Sequence, residues 1–323
     1  MFLLKLALAL AIGLALLWVF GPRDRLRTDP LGLDPPGDLQ AWLAEREAGI
    51  RPEVASYIQW AGKPGQATDL AILYLHGFSA SPAELRPLPE ELARRLGANL
   101  LAIRLTGHGQ GGTELAAARA GDWWRDLAEG LAAARQMGRK VVVLGMSTGA
   151  TLTALAARDP QMGRAMDGIV LISPNFALRG RGAWMLDLPF ARTILRIMGD
   201  PGRCFVTRND MHRARWTSCY PASAVLAVGT LLRRARHGNY RTAITPALFI
   251  WSDADRIIDH RTSARVAAEW GGGATVMKVA SGSHDDPDAH VIAGEALSPD
   301  LTRDLVPAIA GWIGRLPDQK VSE

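Results

Sequence analysis

The sequence predicts an α/β fold with a mostly parallel central sheet, helices on both of its faces and a helical cap insertion. Three observations carry that expectation. From Asp69 onward, short continuous apolar runs alternate with stretches of helical character, and such runs are what parallel strands covered on both faces require. A Gly-x-Ser-x-Gly pentapeptide, Gly145 to Gly149, joins one of these runs to an Ala-rich helical stretch. The rhythm then breaks between Ile172 and Thr245, an interval too long for an ordinary connection.

Taken from the start, residues 1–22 read as a membrane anchor or signal-like helix. Met1–Phe20 is apolar except for Lys5 and has roughly bilayer-spanning length; Gly21-Pro22 ends it. An uncleaved anchor is favoured. A cleaved signal peptide would want a small-x-small site, which Trp18–Pro22 supplies poorly. A buried core helix is a third reading, against which the position at the extreme N-terminus argues. Lys5 lies on one side, and Arg23, Arg25 and Arg27 lie on the other. Counting positive charges favours a cytoplasmic domain, yet signal-like segments often translocate the chain behind them, so the side stays open.

Residues 23–68 read as a linker and N-terminal segment. Thr28–Gly37 is rich in Pro, Gly and Asp, and Asp38–Ala48 suits a short helix. Strands are predicted at Leu70–Leu75, Asn99–Leu105, Lys140–Leu144, Gly168–Ile172, Ala247–Trp251 and Thr275–Val279. Helices are predicted at Pro82–Leu96, Trp123–Met137 and Ala150–Arg158. The alternation indicates a doubly wound core over 69–173 and 245–318. Residues 174–244, carrying Trp184, Met185, Phe190, Met198, Met211 and Trp216, read as a mostly helical cap over the C-terminal edge of the sheet. Ligands bind at that edge in open α/β sheets.

The 323 residues carry a net charge of +5, with 48% hydrophobic and 21% charged residues, which suits a globular chain rather than a disordered one. Arginines are scattered, apart from clusters at Arg23–Arg27 and at Arg233, Arg234 and Arg236. No long basic tract with interleaved aromatics occurs, so nucleic acid is not an expected partner. Cys204 and Cys219 form no CxxC pair and have no metal spacing with His, so no metal site is expected. They are either a disulfide in an oxidising compartment or two small apolar residues.

Ser147 carries the chemistry. A strand, a tight turn and a helix place it in a strained backbone conformation with small neighbours, and its hydroxyl stands clear above the sheet. His76-Gly77-Phe78 directly follows the strand Leu70–Leu75, and Gly107-His108-Gly109 follows Asn99–Leu105. Together these motifs resemble the α/β-hydrolase family, over Leu70 to Ile313. The resemblance assigns the oxyanion hole to the backbone N–H groups of Phe78 and Thr148. It makes His76 and His108 loop-shaping residues, and it implies the chain order Ser, acid, His. Asp255 fits the acid best: Asp253 lies too close to the strand, and Asp259 suits a helix cap. The acid turn begins Trp251-Ser252, where many relatives carry a His-Gly or Gly pair.

Two histidines compete for the base. His290 opens His290-Val291-Ile292 ahead of a C-terminal helix, and this resembles the bacterial carboxylesterase and monoacylglycerol lipase branch, which also contains serine aminopeptidases. His290 is the expected base, and His284, after a short Gly/Ser turn, is the alternative. The resemblance implies a serine hydrolase that cleaves carboxylic esters through an acyl-enzyme, with no metal or organic cofactor. With the N-terminal segment, it implies a bacterial inner membrane as the location. Cap residues rich in Trp, Met and Leu favour a small acyl ester or lipid substrate, although plain core packing accounts for them too. The alternatives are a serine peptidase and a catalytically silent binding protein. The first would want an anionic hook for a peptide amine, and none is evident in the sequence. The second would be expected to lack a member of the triad.

Overall fold

A computed structural model describes residues 2–28, 34, 36–180 and 182–317 of the chain. Most of the predicted linker, and the predicted core limit at 318, lie outside the described residues. Among those residues the strands are β1 (Tyr57–Gln59), β2 (Thr68–Leu75), β3 (Asn99–Ile103), β4 (Gly138–Met146), β5 (Gly168–Ile172), β6 (Gly202–Cys204), β7 (Cys219–Pro221), β8 (Ala247–Trp251) and β9 (Ala274–Lys278). Seven of them make one sheet in the order β1-β3-β2-β4-β5-β8-β9. Every pairing in it is parallel except that of β1 with β3.

The apolar runs are continuous because each strand feeds two cores. In β2, Ala71, Leu73 and Leu75 join the helices Ala120–Met137 and Thr148–Ala156 on one face. Ile72 and Tyr74 join Leu88–Leu96 and Pro299–Ile313 on the other. With a side-chain period of two, no position on such a strand can be polar at low cost.

All six predicted strands form. β1 is an addition, a three-residue, half-buried edge too short to give a hydropathy signal. The predicted helix Pro82–Leu96 is shorter, running over Leu88–Leu96. Pro87 sits at its N-cap, and the residue before a proline is disfavoured from helical conformation. Asp38 caps Leu39–Arg46 through the Gln40 and Ala41 N–H groups.

Between β5 and β8 lie a 3₁₀ turn (Ala183–Asp187) and the helices Ala191–Ile197, Asp210–Arg215 and Val225–Arg236. The same insertion contains an antiparallel ribbon of β6 and β7, bridged by the Cys204–Cys219 disulfide. The ribbon strands, Gly-Arg-Cys and Cys-Tyr-Pro, are too short and polar to stand out in the sequence. Val225–Arg236 buries Val228 and Leu231 in the core on one sheet face, so it closes that face as well as the insertion.

Phe2–Phe20 is a 19-residue helix with its described apolar side chains exposed. At 1.5 Å per residue it is about 28 Å long, close to the hydrocarbon thickness of a bilayer. Length and composition suit a membrane span or a signal sequence alike. The chain beyond it docks on the insertion. The Phe190 N–H donates to the Pro22 carbonyl at 2.8 Å, and Arg23 donates to the Asp187 carbonyl at 2.9 Å. Arg192 binds the Asp24 carboxylate, and Arg233 binds the Asp187 carboxylate and the Asp24 carbonyl.

Candidate active site

Ser147 stands between β4 and the helix Thr148–Ala156, with φ at +48°, in the left-handed region that side chains rarely adopt. Its N–H donates to the Ile172 carbonyl at 2.9 Å, which pins the turn to β5. Backbone crowding dictates the flanking glycines. A Cβ on Gly149 would lie 2.5 Å from the Leu75 carbonyl oxygen and 2.6 Å from that of His76. A Cβ on Gly145 would lie 2.7 Å from the backbone of Ala150. The pentapeptide is therefore the composition that lets helix and sheet approach while turning the Ser hydroxyl outward.

The structure brings Ser147, His290 and Asp255 together. His290 Nε2 lies 3.0 Å from Ser147 Oγ, and His290 Nδ1 lies 2.8 Å from Asp255 Oδ2. Asp255 is fully buried, and its Oδ1 accepts the N–H groups of Ile257 and Ile258 at 2.8 and 2.9 Å. A carboxylate held this way accepts a hydrogen bond from Nδ1–H and leaves Nε2 free to accept from the hydroxyl. Burial works to lower the His290 pKa. The Asp255 carboxylate, helped by Asp286 and Glu84, outweighs it and raises the imidazole above its ordinary value.

His284 does not join this group. It is 76% exposed and pairs with Asp300 at 3.0 Å. Asp253 pairs with Lys278 at 2.9 Å, and Asp259 caps the helix His260–Ala268. His76 and His108 are buried, with rings 4.8 Å apart. His76 Nε2 accepts the Leu105 N–H at 3.0 Å, tying the loop after β2 to the loop after β3. Burial drives both imidazoles to low pKa, that of His108 to about 4, so they are neutral scaffolding at pH 7.

Among the described residues, no protein group accepts from the N–H of Phe78 or Thr148. The loop after β2 crowds the nucleophile: a Cβ on Gly77 would sit 3.4 Å from Ser147 Cβ. Both N–H groups belong to segments that flank Ser147, the arrangement an oxyanion site needs.

Three supporting residues escaped the sequence reading. Asp286 is buried, and its carboxylate accepts the N–H groups of His290 and Val291 at 3.2 and 3.0 Å. Ser173, at φ +42°, donates to the His290 carbonyl at 2.7 Å. Arg179 donates to the Asp255 carbonyl at 2.6 Å. The run of Asp residues before His290 was the only signal, and it reads equally as a solvated loop. Glu84 is the fourth omission. It is buried, lines the pocket above Ser147, and accepts the Gly77 N–H at 2.7 Å and the Tyr74 hydroxyl at 3.2 Å. Burial raises its pKa to about 7.

The cavity above Ser147 measures about 600 Å³, the size of a small-molecule site. The insertion contributes Met185, Leu186, Phe205, Val206 and Tyr220 to its walls, and the lining is mainly apolar.

The fold is shared with known proteins. The model of the alpha/beta hydrolase family matches residues 72–294. The thermostable monoacylglycerol lipase of Bacillus sp. (strain H-257) is 27% identical over 193 residues, covering 58% of this chain and 72% of that protein. A structure of the metagenome-derived lipolytic enzymes LipS and LipT superposes with a TM-score of 0.63 at 19% identity, covering 82% of this chain and 99% of that one. The monoacylglycerol lipase of Paleococcus ferrophilus gives 0.58 at 18% identity, with 80% and 98% covered. At such identities these structures speak for the fold.

Proposed function

This chain belongs to the alpha/beta hydrolase family, and on that premise we propose that it is a serine hydrolase of carboxylic esters, acting as a carboxylesterase or as a lysophospholipase or monoacylglycerol lipase. Ser147 is the nucleophile, His290 the base and Asp255 the orienting acid. As Ser147 Oγ attacks the ester carbonyl carbon, its proton passes to His290 Nε2. The Phe78 and Thr148 N–H groups receive the oxyanion. His290 returns the proton to the leaving alcohol, and an acyl-Ser147 ester remains. Water then gives a proton to His290 and attacks the acyl carbon, and the carboxylic acid departs as Ser147 is reprotonated.

The observation that carries this reading is the buried line of hydrogen bonds from Ser147 Oγ through the His290 ring to Asp255, at 3.0 and 2.8 Å. The mainly apolar cavity and the names of the monoacylglycerol lipase relatives support an acyl ester or lipid substrate. Labelling with a fluorophosphonate tests it: wild type should become modified and Ser147→Ala should not. Folded wild type that stays unlabelled while binding the same acyl esters would favour the silent binding protein instead.

The same reading takes Phe2–Phe20 as an uncleaved anchor, residues 23–68 as a linking segment and 174–244 as a cap over the core. It also assigns a side. Charge counting favours a cytoplasmic domain, but the Cys204–Cys219 disulfide belongs to an oxidising compartment. The disulfide is the stronger guide, since positive charges flank the helix on both sides and the count between them is close. The domain is therefore assigned to the outer face of a bacterial inner membrane.

A further inference from the structure

Glu84 is a buried ionisable group at the cavity that the mechanism above does not use. Its two carboxylate oxygens have different surroundings. Oε2 is engaged, accepting from Gly77 and Tyr74. Oε1 has no hydrogen-bond partner among the described residues. Glu84 lines the cavity, and Oε1 is the carboxylate oxygen left for a bound molecule. A Cβ on Gly77 would lie 2.9 Å from Oε1 and 3.4 Å from Ser147 Cβ, so oxygen and nucleophile flank the same glycine. A polar atom held there, beside the reacting ester, meets whatever the substrate carries next to its scissile bond.

We infer that Glu84 is a specificity-determining residue whose Oε1 binds a free hydroxyl of the substrate's alcohol part, so that monoacyl esters of a polyhydroxy alcohol are preferred over plain alkyl esters. This rests on the ester-hydrolase reading. Two features favour a hydroxyl over an ammonium group. Among the described residues no lysine or arginine pairs with Glu84, and burial raises its pKa to about 7, so the carboxyl is partly neutral near pH 7 and suits a hydroxyl. A carboxyl that titrates near neutrality can accept from a hydroxyl when ionised and donate to it when protonated. A buried acceptor left without its partner also disfavours an analogue that lacks the hydroxyl.

The test compares 1-monobutyrin with propyl butyrate, which share acyl group and alcohol length, on the full detergent-solubilised chain. Wild type should favour monobutyrin in kcat/KM by about tenfold or more, the scale of one hydrogen bond to a charged group. Glu84→Met should reduce that ratio to about two, whatever its effect on absolute rate. Glu84→Gln keeps an amide oxygen for the Gly77 N–H and turns its NH₂ to the cavity; it should lower the ratio at least about threefold, and it carries the test if the Met variant does not fold. An active enzyme whose ratio is unchanged in Glu84→Gln overturns the inference and leaves the hydrolase reading standing. A selective loss of butyrylcholine turnover, with the monobutyrin ratio intact, overturns it in favour of a cation hook. Wild type without turnover of any ester overturns the hydrolase reading itself.

Discussion

His290 Nδ1 sits 2.8 Å from Asp255 Oδ2, and that carboxylate has no exposure to solvent. Its other oxygen is held by two backbone N–H groups, so the acid cannot swing away from the imidazole. Replacing Asp255 by Asn keeps the shape and places an NH₂ or a neutral oxygen against Nδ1. The kcat for p-nitrophenyl butyrate should fall by about 10³–10⁴. The pH profile adds a second readout. The raised His290 pKa puts the acid limb of wild-type kcat/KM above the ordinary imidazole value. Without the carboxylate, burial prevails and the limb should move to lower pH. A limb that stays in place would remove Asp255 from the base's environment.

The two histidines of the loop after β9 should separate by mutation. His290→Ala is expected to lower ester turnover by at least about 10³. His284→Ala, which removes only an exposed pair with Asp300, should leave turnover within about twofold. The opposite order of effects, read from steady-state kinetics, would reassign the base.

Asp286 holds His290 by accepting from its backbone, and its charge adds to the field that raises the imidazole. Asp286→Ala frees the N–H groups of His290 and Val291 in a buried setting. It should cut kcat about 10- to 100-fold, a larger effect than any on KM, since the loop that carries the base is misplaced. Asp286→Asn retains an acceptor oxygen and should recover most of the loss. Equal damage from Asn and Ala would show that the charge, not the acceptor, is what the loop needs.

Glu84 should make stability depend on pH. Its folded pKa of about 7 lies above the ordinary 4.5 of a solvated glutamate, so between those values the folded state binds the extra proton. Stability then falls as pH rises through that window, by roughly 3–4 kcal/mol at most. Glu84→Gln removes the titration. Its melting temperature should gain on wild type between pH 5 and pH 8. Parallel melting curves across that range would mean that the carboxyl is not strained by burial.

The Cys204–Cys219 bridge closes a short loop across the β6–β7 ribbon, and Arg203, Phe205 and Tyr220 around it line the cavity. The Cys204→Ser, Cys219→Ser double variant should lose about 3 kcal/mol of stability. Alkaline phosphatase fused after residue 317 should be active in a bacterial host, and the native cysteines should resist maleimide until reduced. Free thiols in freshly isolated membranes would return the domain to the cytoplasmic side.

The parts of the fold visible in the sequence are those where one residue type answers one physical demand. Strands such as Val141–Leu144 are buried on both faces, so they cannot hide. Gly145 and Gly149 are demanded by backbone contact, so the turn around Ser147 announces itself. Asp255 stood out through its place in the turn after β8. What stayed hidden depends on long-range geometry. Glu84 lies seven residues beyond Gly77 in a segment read as helix, and nothing local marks it as a group that folds back on the loop. Asp286 was indistinguishable from its neighbours, because its role is to accept from backbone rather than to complete a motif. The ribbon around Cys204 and Cys219 has no apolar alternation, and its pairing emerges only once the insertion is folded.

The docking of Pro22, Arg23 and Asp24 on Asp187, Phe190, Arg192 and Arg233 changes what the amino-terminal helix means for turnover. A loose leader would let the domain sample a hemisphere of water around its attachment point. This one leaves no slack. On the proposed reading of the helix as an uncleaved anchor, the docked segment keeps the domain close to the headgroups, and encounters are counted per area of leaflet. Rates should then follow the mole fraction of ester in the surface. Diluting a fixed amount of ester with inert lipid should slow the enzyme, while diluting the vesicles with buffer should not.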